Sequence, residues 1–219
     1  ESAHNPGQQE GGVGALEALR HVARDGAFLL LCGGNLLIGL VYLQSMSTFP
    51  LYLEQIGLAS DAYGRIIGVN GLVIVICQVF VTRLVAHREP CRALAVAAVI
   101  VGVGFGLHTI AHAEWHFMLA VVVWTVGEML QSPLVGPLVA RLAPPEMRAR
   151  YMGIMSLSFS GANAIGAPLG GLILTHAGGV TLWITAVFVA WIAALVYLRL
   201  HRVLRAQVGR GGASKATTI

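Results

Sequence analysis

The sequence predicts an all-α membrane protein, a bundle of six transmembrane helices. Of the 219 residues, 56% are hydrophobic and only 11% are charged, a composition outside the range of soluble proteins. The 14 basic residues occur in short clusters between long apolar runs, as they do in the cytoplasmic loops of membrane proteins. The net charge of +4 therefore reflects membrane topology and does not indicate a nucleic-acid partner.

The bundle is predicted to occupy residues 26–200. This part of the chain contains six apolar runs, each long enough for a tilted helix that crosses a bilayer. The runs are 27–49, 62–85, 93–112, 116–140, 151–175 and 181–200.

The segments that flank the bundle are polar or amphipathic. Residues 1–14 are polar and rich in glycine, so they predict a cytoplasmic linker that cannot bury enough apolar surface to order itself. Residues 15–25 predict a short helix on the membrane surface, because their apolar side chains share one helical face. Residues 201–219 predict a basic cytoplasmic tail.

The distribution of basic residues predicts the orientation in the membrane. If the six runs cross in alternating directions, 13 of the 14 basic residues lie on one side and Arg65 alone lies on the other. An excess of Lys and Arg marks the cytoplasmic side. We therefore expect a multi-pass protein of the cell (plasma) membrane with both termini in the cytoplasm.

Glu128 is the candidate functional residue. It lies 12 residues after His116 and 13 before Arg141, hence roughly 18–20 Å from either end of its span. An ionised carboxylate at a helix centre costs roughly 2.5–3.5 kcal/mol to insert, so such a residue is expected to have a function and a partner. Pro133 and Pro137 follow in the same run and predict a bend beside it.

Every basic residue of the chain belongs to a loop or a helix end, so none is placed to neutralise Glu128. The remaining partners are a proton, a cationic ligand or a basic residue on another chain segment. Because burial favours the neutral form of an acid, Glu128 is predicted to bind a proton or a cation. A protonated acid with a purely structural role is the alternative.

Polar and aromatic residues of other runs reach a similar depth. Amide side chains that share one depth are costly when they face lipid and are instead predicted to line a water-filled substrate cavity with Glu128. The predicted cavity residues are Asn35, Tyr42, Asn70, Trp124, Gln131 and Asn163. Each amide could alternatively only hydrogen-bond a neighbouring helix.

Small residues recur four positions apart in several runs. The pairs Gly64 with Gly68 and Gly102 with Gly106 predict close helix packing. Residues 161–171 are richer in glycine than packing requires, and they predict a kinked, thin helix that serves as a gate. The residues assigned to this gating helix are Gly161, Gly166, Pro168, Gly170 and Gly171.

No metal, cofactor or enzymatic site is predicted. His108, His112 and His116 have the spacing of metal ligands, but the turn at 113–115 is expected to break a helix that would carry all three. The three cysteines form no close pair. An intramembrane hydrolase is an unfavoured alternative, because no serine has the Gly-x-Ser-x-Gly arrangement that exposes a nucleophile.

Several motifs together suggest a family. They are the arginine-bearing loop after the second run (Arg83, Arg88, Arg92), the run Gly127–Pro144, the residues Glu146, Arg148, Arg150, Tyr151 and Gly153, and the segment Gly166–Gly171. With six spans and cytoplasmic ends, this pattern resembles the C-terminal half, helices seven to twelve, of a major facilitator superfamily transporter. The resemblance covers about residues 15–205.

Within the superfamily, two subgroups share features with this chain. The pattern of 161–171 is similar to a glycine- and proline-rich helix of bacterial drug:proton antiporters. The order Gly127-Glu128, Ser132-Pro133 and Leu142–Pro144 resembles the tenth helix of proton-coupled oligopeptide transporters, in which the matching acid faces the substrate. The loop 83–92 lacks the Asp and the Gly-Arg-Arg run of the family's better-known loop.

The resemblance implies one half of a two-half transporter that works by rocking about a midplane site. Its partners would be an N-terminal six-helix half, a small-molecule substrate, protons and the lipid bilayer, with no cofactor. The predicted function is proton-coupled transport, in the direction of efflux, of lipophilic or cationic small molecules. A proton-coupled peptide or nutrient symporter and a non-transporting membrane scaffold are the alternatives.

Overall fold

The computed structural model describes residues 15–59 and 61–216, with side chains from Arg20 to Gln207. The linker predicted for 1–14 lies outside the described residues, as do the last three residues of the predicted tail.

The described part of the chain contains helices and connecting turns, with no strand. The α-helices are α1 (Ala15–Arg24), α2 (Gly26–Gln55), α3 (Ala62–Val85), α4 (Pro90–Leu107), α5 (Glu114–Leu142) and α6 (Arg148–Ala216). Short 3₁₀ helices cover His108–Ile110 and Pro145–Met147.

Within the described residues, five helical elements are long and apolar enough to cross a membrane, and the last of them, Pro145–Gln207, has the length of two crossings. Gly178 interrupts that element with non-helical dihedral angles (φ 80°, ψ 167°), a conformation that favours glycine. The next residue, Gly179, packs so closely on the ring of Tyr52 that a Cβ there would overlap it. The connection between the predicted runs 151–175 and 181–200 is thus a break centred on one residue. The prediction of an all-α, multi-pass bundle is confirmed.

Acidic side chains cap the starts of α2 and α4 through hydrogen bonds. The carboxylate of Asp25 accepts a hydrogen bond from the backbone N–H of Phe28 (3.0 Å) and a second from the Tyr151 hydroxyl (3.2 Å), which joins α2 to α6. Glu89 precedes α4 and accepts from the backbone N–H groups of Cys91 (3.3 Å) and Arg92 (2.8 Å). These bonds satisfy N–H groups that the first turn of a helix leaves without partners.

We expect Glu89→Ala to lower the free energy of unfolding by about 1 kcal/mol, the usual contribution of a cap. Burial alone would raise the pKa of Glu89, but hydrogen bonds from the two backbone amides and the nearby His201 lower it below its ordinary value. A lowered pKa stabilises the fold above the ordinary pKa, and this contribution disappears as the pH falls through the lowered value.

Thermal unfolding in detergent between pH 7 and pH 3 would measure this effect. The difference between wild type and Glu89→Ala should be present at pH 7 and shrink toward pH 3. Glu54→Ala, which removes an exposed acid near the end of α2, is the matched control. A difference that grows with acidity would contradict the assignment.

Close approaches between helices depend on particular glycines. A Cβ at Gly127 of α5 would lie 2.7 Å from the Ala97 carbonyl oxygen and 3.0 Å from the Val101 amide nitrogen of α4. Gly102 packs against Trp191 of α6, which agrees with the close packing predicted for Gly102 and Gly106. Gly64, of the other predicted pair, has nothing within 4 Å of its Cβ position, so that packing prediction is wrong within the described chain.

Helix α3 is the least buried of the crossing helices and is attached mainly to α5. Arg65 donates to both carboxylate oxygens of Glu114 (2.6 and 2.8 Å) near one end of the helix pair, and it also pairs with Asp61. Farther along, Gln78 donates to the Met129 carbonyl (3.3 Å). Polar contacts therefore hold a helix that buries little apolar surface within this chain.

The segment 161–171 stays helical, and the only residue of α6 with non-helical dihedral angles is Gly178. Two glycines of the segment 161–171 instead allow this segment to pack closely on α2. The Gly166 carbonyl accepts from Gln44 Nε2 (3.0 Å), and a Cβ at Gly170 would overlap Gln44 Oε1. Gly161 and Gly171 have open space around their Cβ positions, and the gating role of this segment remains a prediction.

Candidate functional site: a polar cavity around Glu128

One cavity of about 500 Å³ lies among α2, α3, α5 and the first part of α6. Glu128 lines it together with every residue that was predicted to share a cavity with this acid. These residues are Asn35 and Tyr42 of α2, Asn70 of α3, Trp124 and Gln131 of α5, and Asn163 of α6. The structure thus brings the whole predicted set together, while its role in substrate binding stays a prediction.

Glu128 is half-buried, and it is bonded to α3 through an amide. Asn70 Nδ2 lies 2.8 Å from Glu128 Oε2 and 3.0 Å from Thr125 Oγ1. Thr125 donates in turn to the Val121 carbonyl of its own helix (2.6 Å). This chain of hydrogen bonds sets the side-chain direction of Asn70 and orients Glu128 at the cavity wall.

Within the described residues, Glu128 takes part in no salt bridge. The ion pairs there join Arg65 to Asp61 and to Glu114, and His201 to Glu89. Asn70 is thus a neutral partner that leaves the charge of an ionised Glu128 uncompensated.

Three other cavity residues carry buried polar atoms without a hydrogen-bond partner in the described structure. They are the Tyr42 hydroxyl, the Trp124 indole N–H and the Gln131 Oε1. Leaving a buried polar group unsatisfied costs about 1–3 kcal/mol. Convergence of three such groups with an acid on one cavity indicates that water or a bound polar molecule supplies their partners.

Aromatic rings form one part of the wall. The rings of Tyr42 and Trp124 have their centroids 6.2 Å apart with an interplanar angle of 57°, and Phe159 lines the same cavity. Aromatic faces attract organic cations, and the attraction is strongest in sites away from water. An acid beside two or three rings is therefore suited to a cation with an apolar body.

The two remaining asparagines have different surroundings. Asn35 is buried, and its Nδ2 donates to Ser158 Oγ of α6 (3.2 Å). It therefore lines the cavity and also hydrogen-bonds a neighbouring helix, the role that was the alternative for each amide. Asn163 is exposed in this chain. Ser132, one turn after Glu128, is likewise exposed and lines the cavity.

Some cavity residues and the role of Thr125 were not predicted from the sequence. Ser45, Met46, Ser132, Val135 and Phe159 line the cavity without having been predicted. Met46, Ser132, Val135 and Phe159 each lie four positions from a predicted residue, on the same helical face. Helical periodicity around the predicted residues was the signal that could have identified these four.

The histidines at spacing four do not form one cluster. His108 belongs to a 3₁₀ turn, is buried, and contacts the Phe105 carbonyl through Nδ1 (3.0 Å). The Nδ1 of His116 accepts from the backbone N–H of Ala113 (3.1 Å). In the part of the chain that the structure describes, no group of three His, Cys, Asp or Glu residues could hold a metal ion.

The fold is thus a bundle of membrane-crossing helices that surrounds an acid-bearing polar cavity. The family model described as "Major Facilitator Superfamily" matches residues 31–217, and the chain belongs to this family. The family consists of transporters and not of enzymes.

Two curated relatives illustrate the similarity. The chain is 31% identical over 164 residues to "Uncharacterized MFS-type transporter YttB" of Bacillus subtilis (strain 168), covering 74% of this chain and 41% of that protein. It is 27% identical over 177 residues to "Multidrug resistance protein MdtH" of Salmonella choleraesuis (strain SC-B67), covering 75% of this chain and 42% of that protein. The chain thus spans about two fifths of the length of these relatives.

A solved structure shares the fold. The crystal structure of a POT family transporter in complex with a thioalcohol-conjugated peptide superposes with a TM-score of 0.68 and 19% sequence identity. The match covers 80% of this chain and 40% of that one. At this identity, the likeness shows the fold alone.

Proposed function

We propose that the chain forms one half of a proton-coupled secondary transporter that exports small lipophilic or cationic molecules by alternating access. Glu128 binds a proton in one state and releases it when a cationic substrate enters the cavity. The two ligands compete for one carboxylate, which couples their movements in opposite directions.

The observation that carries this proposal is the uncompensated acid in a polar cavity. Glu128 has Asn70 as its hydrogen-bond partner and no ion pair among the described residues, and three unpartnered polar atoms share its cavity. A mobile cation, H⁺ or organic, satisfies such an acid without a permanent partner. The name of the relative MdtH supports the drug-like substrate class.

A second six-helix half is the proposed partner. Asn163 and Ser132 line the cavity and are exposed in this chain. Exposed polar groups at mid-membrane are unfavourable against lipid, so we infer that a second half covers them and closes the cavity. The bilayer then surrounds both halves, and both termini of this chain lie in the cytoplasm.

The cavity also supports transport over the scaffold alternative. A chain that only packed against partners has no need of a polar cavity of about 500 Å³ within the membrane. The peptide symporter alternative differs in substrate and direction, and the Glu128 experiment in the Discussion distinguishes it.

Cysteine accessibility tests whether the cavity is open to water. With Cys32, Cys77 and Cys91 replaced by alanine in the full-length protein, single cysteines at Asn35 and Asn163 should react with a small charged thiol reagent in intact membranes. A lipophilic cationic dye should slow both reactions by occupying the cavity.

The control for this scan is a cysteine at Ile192, half-exposed on the later part of α6 and outside the cavity lining. Lipid should protect it from a charged reagent. Equal reaction at all three positions, or no reaction at Asn35 and Asn163, would argue against a water-filled cavity and support the scaffold.

A further inference from the structure

A second groove lies where α3 ends and α4 begins, apart from the cavity around Glu128. Its volume is about 450 Å³. Arg88 and Arg92 form its charged end, and the floor includes Leu130 of α5. It lies on the side of the bundle that carries most of the basic residues of the chain.

The one acid in this groove is already engaged. Glu89 Oε1 accepts from the Cys91 N–H, and Oε2 accepts from the Arg92 N–H (2.8 Å) and from His201 Nδ1 (3.0 Å). Three donors therefore share the charge of the Glu89 carboxylate, which is directed at the start of α4. Glu89 consequently leaves the two guanidinium groups without a carboxylate partner.

The arginines themselves are exposed and make few contacts. Arg92 Nε donates to His201 Nε2 (3.2 Å), which leaves its terminal nitrogens available. Within the described residues, neither Arg88 nor Arg92 takes part in a salt bridge. Two guanidinium groups that line one groove are suited to binding a phosphate group.

The groove becomes apolar away from its charged end. Leu84 lies in the last turn of α3, four residues before Arg88, and Val96 lies one helical turn after Arg92. Both apolar side chains line the groove and are more than half exposed, at 60% and 54%. Both also lie within the ends of helices that cross the membrane, where exposed apolar side chains meet acyl chains.

We propose that this groove binds an anionic phospholipid, with its phosphate between Arg88 and Arg92 and an acyl chain along Leu84, Val96 and Leu130. A basic pocket between helices at the cytoplasmic surface is the setting in which anionic head groups are held. A free phosphate would use the two arginines and leave the apolar wall without a ligand. The proposal does not depend on the transport function, because it requires only that α3 and α4 cross the membrane.

Native mass spectrometry of the full-length protein in detergent tests this site, with phosphatidylglycerol and phosphatidylcholine of identical acyl chains as probes. We expect preferential retention of phosphatidylglycerol. Arg88→Gln should weaken that retention about fivefold, the factor that corresponds to about 1 kcal/mol for one basic residue at a membrane surface. Arg88→Lys, which keeps the charge, should restore most of it.

The control is Arg199→Gln, which removes an exposed arginine of α6 that does not line the groove and should leave retention unchanged. Equal loss in Arg88→Gln and Arg199→Gln would overturn the site, as would equal retention of the two lipids. Displacement of phosphatidylglycerol by millimolar inorganic phosphate, with no effect of Val96→Asn, would overturn the lipid assignment in favour of a soluble phosphate ligand.

Discussion

Replacing Glu128 with glutamine is expected to abolish proton-driven transport while the protein remains in the membrane. Glutamine keeps the size of the side chain and an oxygen that can accept from Asn70, but it can neither bind nor release a proton. In vesicles that contain the full-length protein, efflux of a lipophilic cationic dye should follow an imposed pH gradient in the wild type. In Glu128→Gln it should fall to the level of vesicles without the protein.

Glu54→Gln is the matched control, because Glu54 is exposed near the end of α2 and does not line the cavity. It should transport like the wild type. Dye efflux in Glu128→Gln with an unchanged pH dependence would remove the proton role of Glu128. Proton-driven uptake of a dipeptide, without dye efflux, would instead support the symporter alternative.

Adding one methyl group at Gly127 is expected to have a large effect on stability. A Cβ there would meet the Val101 side chain at 2.6 Å and the backbone oxygen of Ala97 at 2.7 Å. Backbone atoms in a packed helix pair cannot move aside individually, so α4 and α5 must separate. Overpacking of this kind costs typically about 1–3 kcal/mol, and Gly127→Ala should lower the thermal unfolding midpoint in detergent.

Gly136→Ala tests whether the cost is specific to this contact. Gly136 lies on the same helix and has nothing within 4 Å of its Cβ position, so alanine there should be neutral or stabilising, because it favours the helix by up to about 1 kcal/mol. Equal unfolding midpoints for the two variants would show that α4 and α5 tolerate the extra volume. A change in transport with Gly127→Ala is also expected, since Trp124 lies one turn away at the cavity.

Much of the fold could be predicted from composition and run length. An apolar run of about 20 residues has few stable alternatives to a crossing helix, because a bilayer offers no partners to free backbone groups. The residues that cap the helices could be predicted less well from the sequence. Glu89 lies within the loop 83–92 in sequence, and only the structure shows that it caps α4 through two backbone amides.

The candidate site could also be predicted to a large extent, because polar residues are rare in the middle of an apolar span. The position of each residue along its apolar run was enough to predict that Asn35, Asn163 and Glu128 lie at a similar depth in the membrane. Their convergence on one cavity follows from the cost of exposing them to lipid. Depth could not predict the hydrogen-bond partner of Glu128, because Asn70 and Gln78 share a helical face. Only the structure shows that Asn70 bonds the acid, whereas Gln78 bonds the Met129 carbonyl.

By itself the sequence determined the class of fold, the approximate positions of the crossing helices and the acid at mid-membrane, because hydropathy and charge act locally along the chain. Only the tertiary structure decided which glycines form contacts, with Gly102 packed and Gly64 open. It also located the break at Gly178 and the groove between Arg88 and Arg92. These features depend on which helix faces meet, and that choice follows from the packing of the whole bundle and not from any one segment.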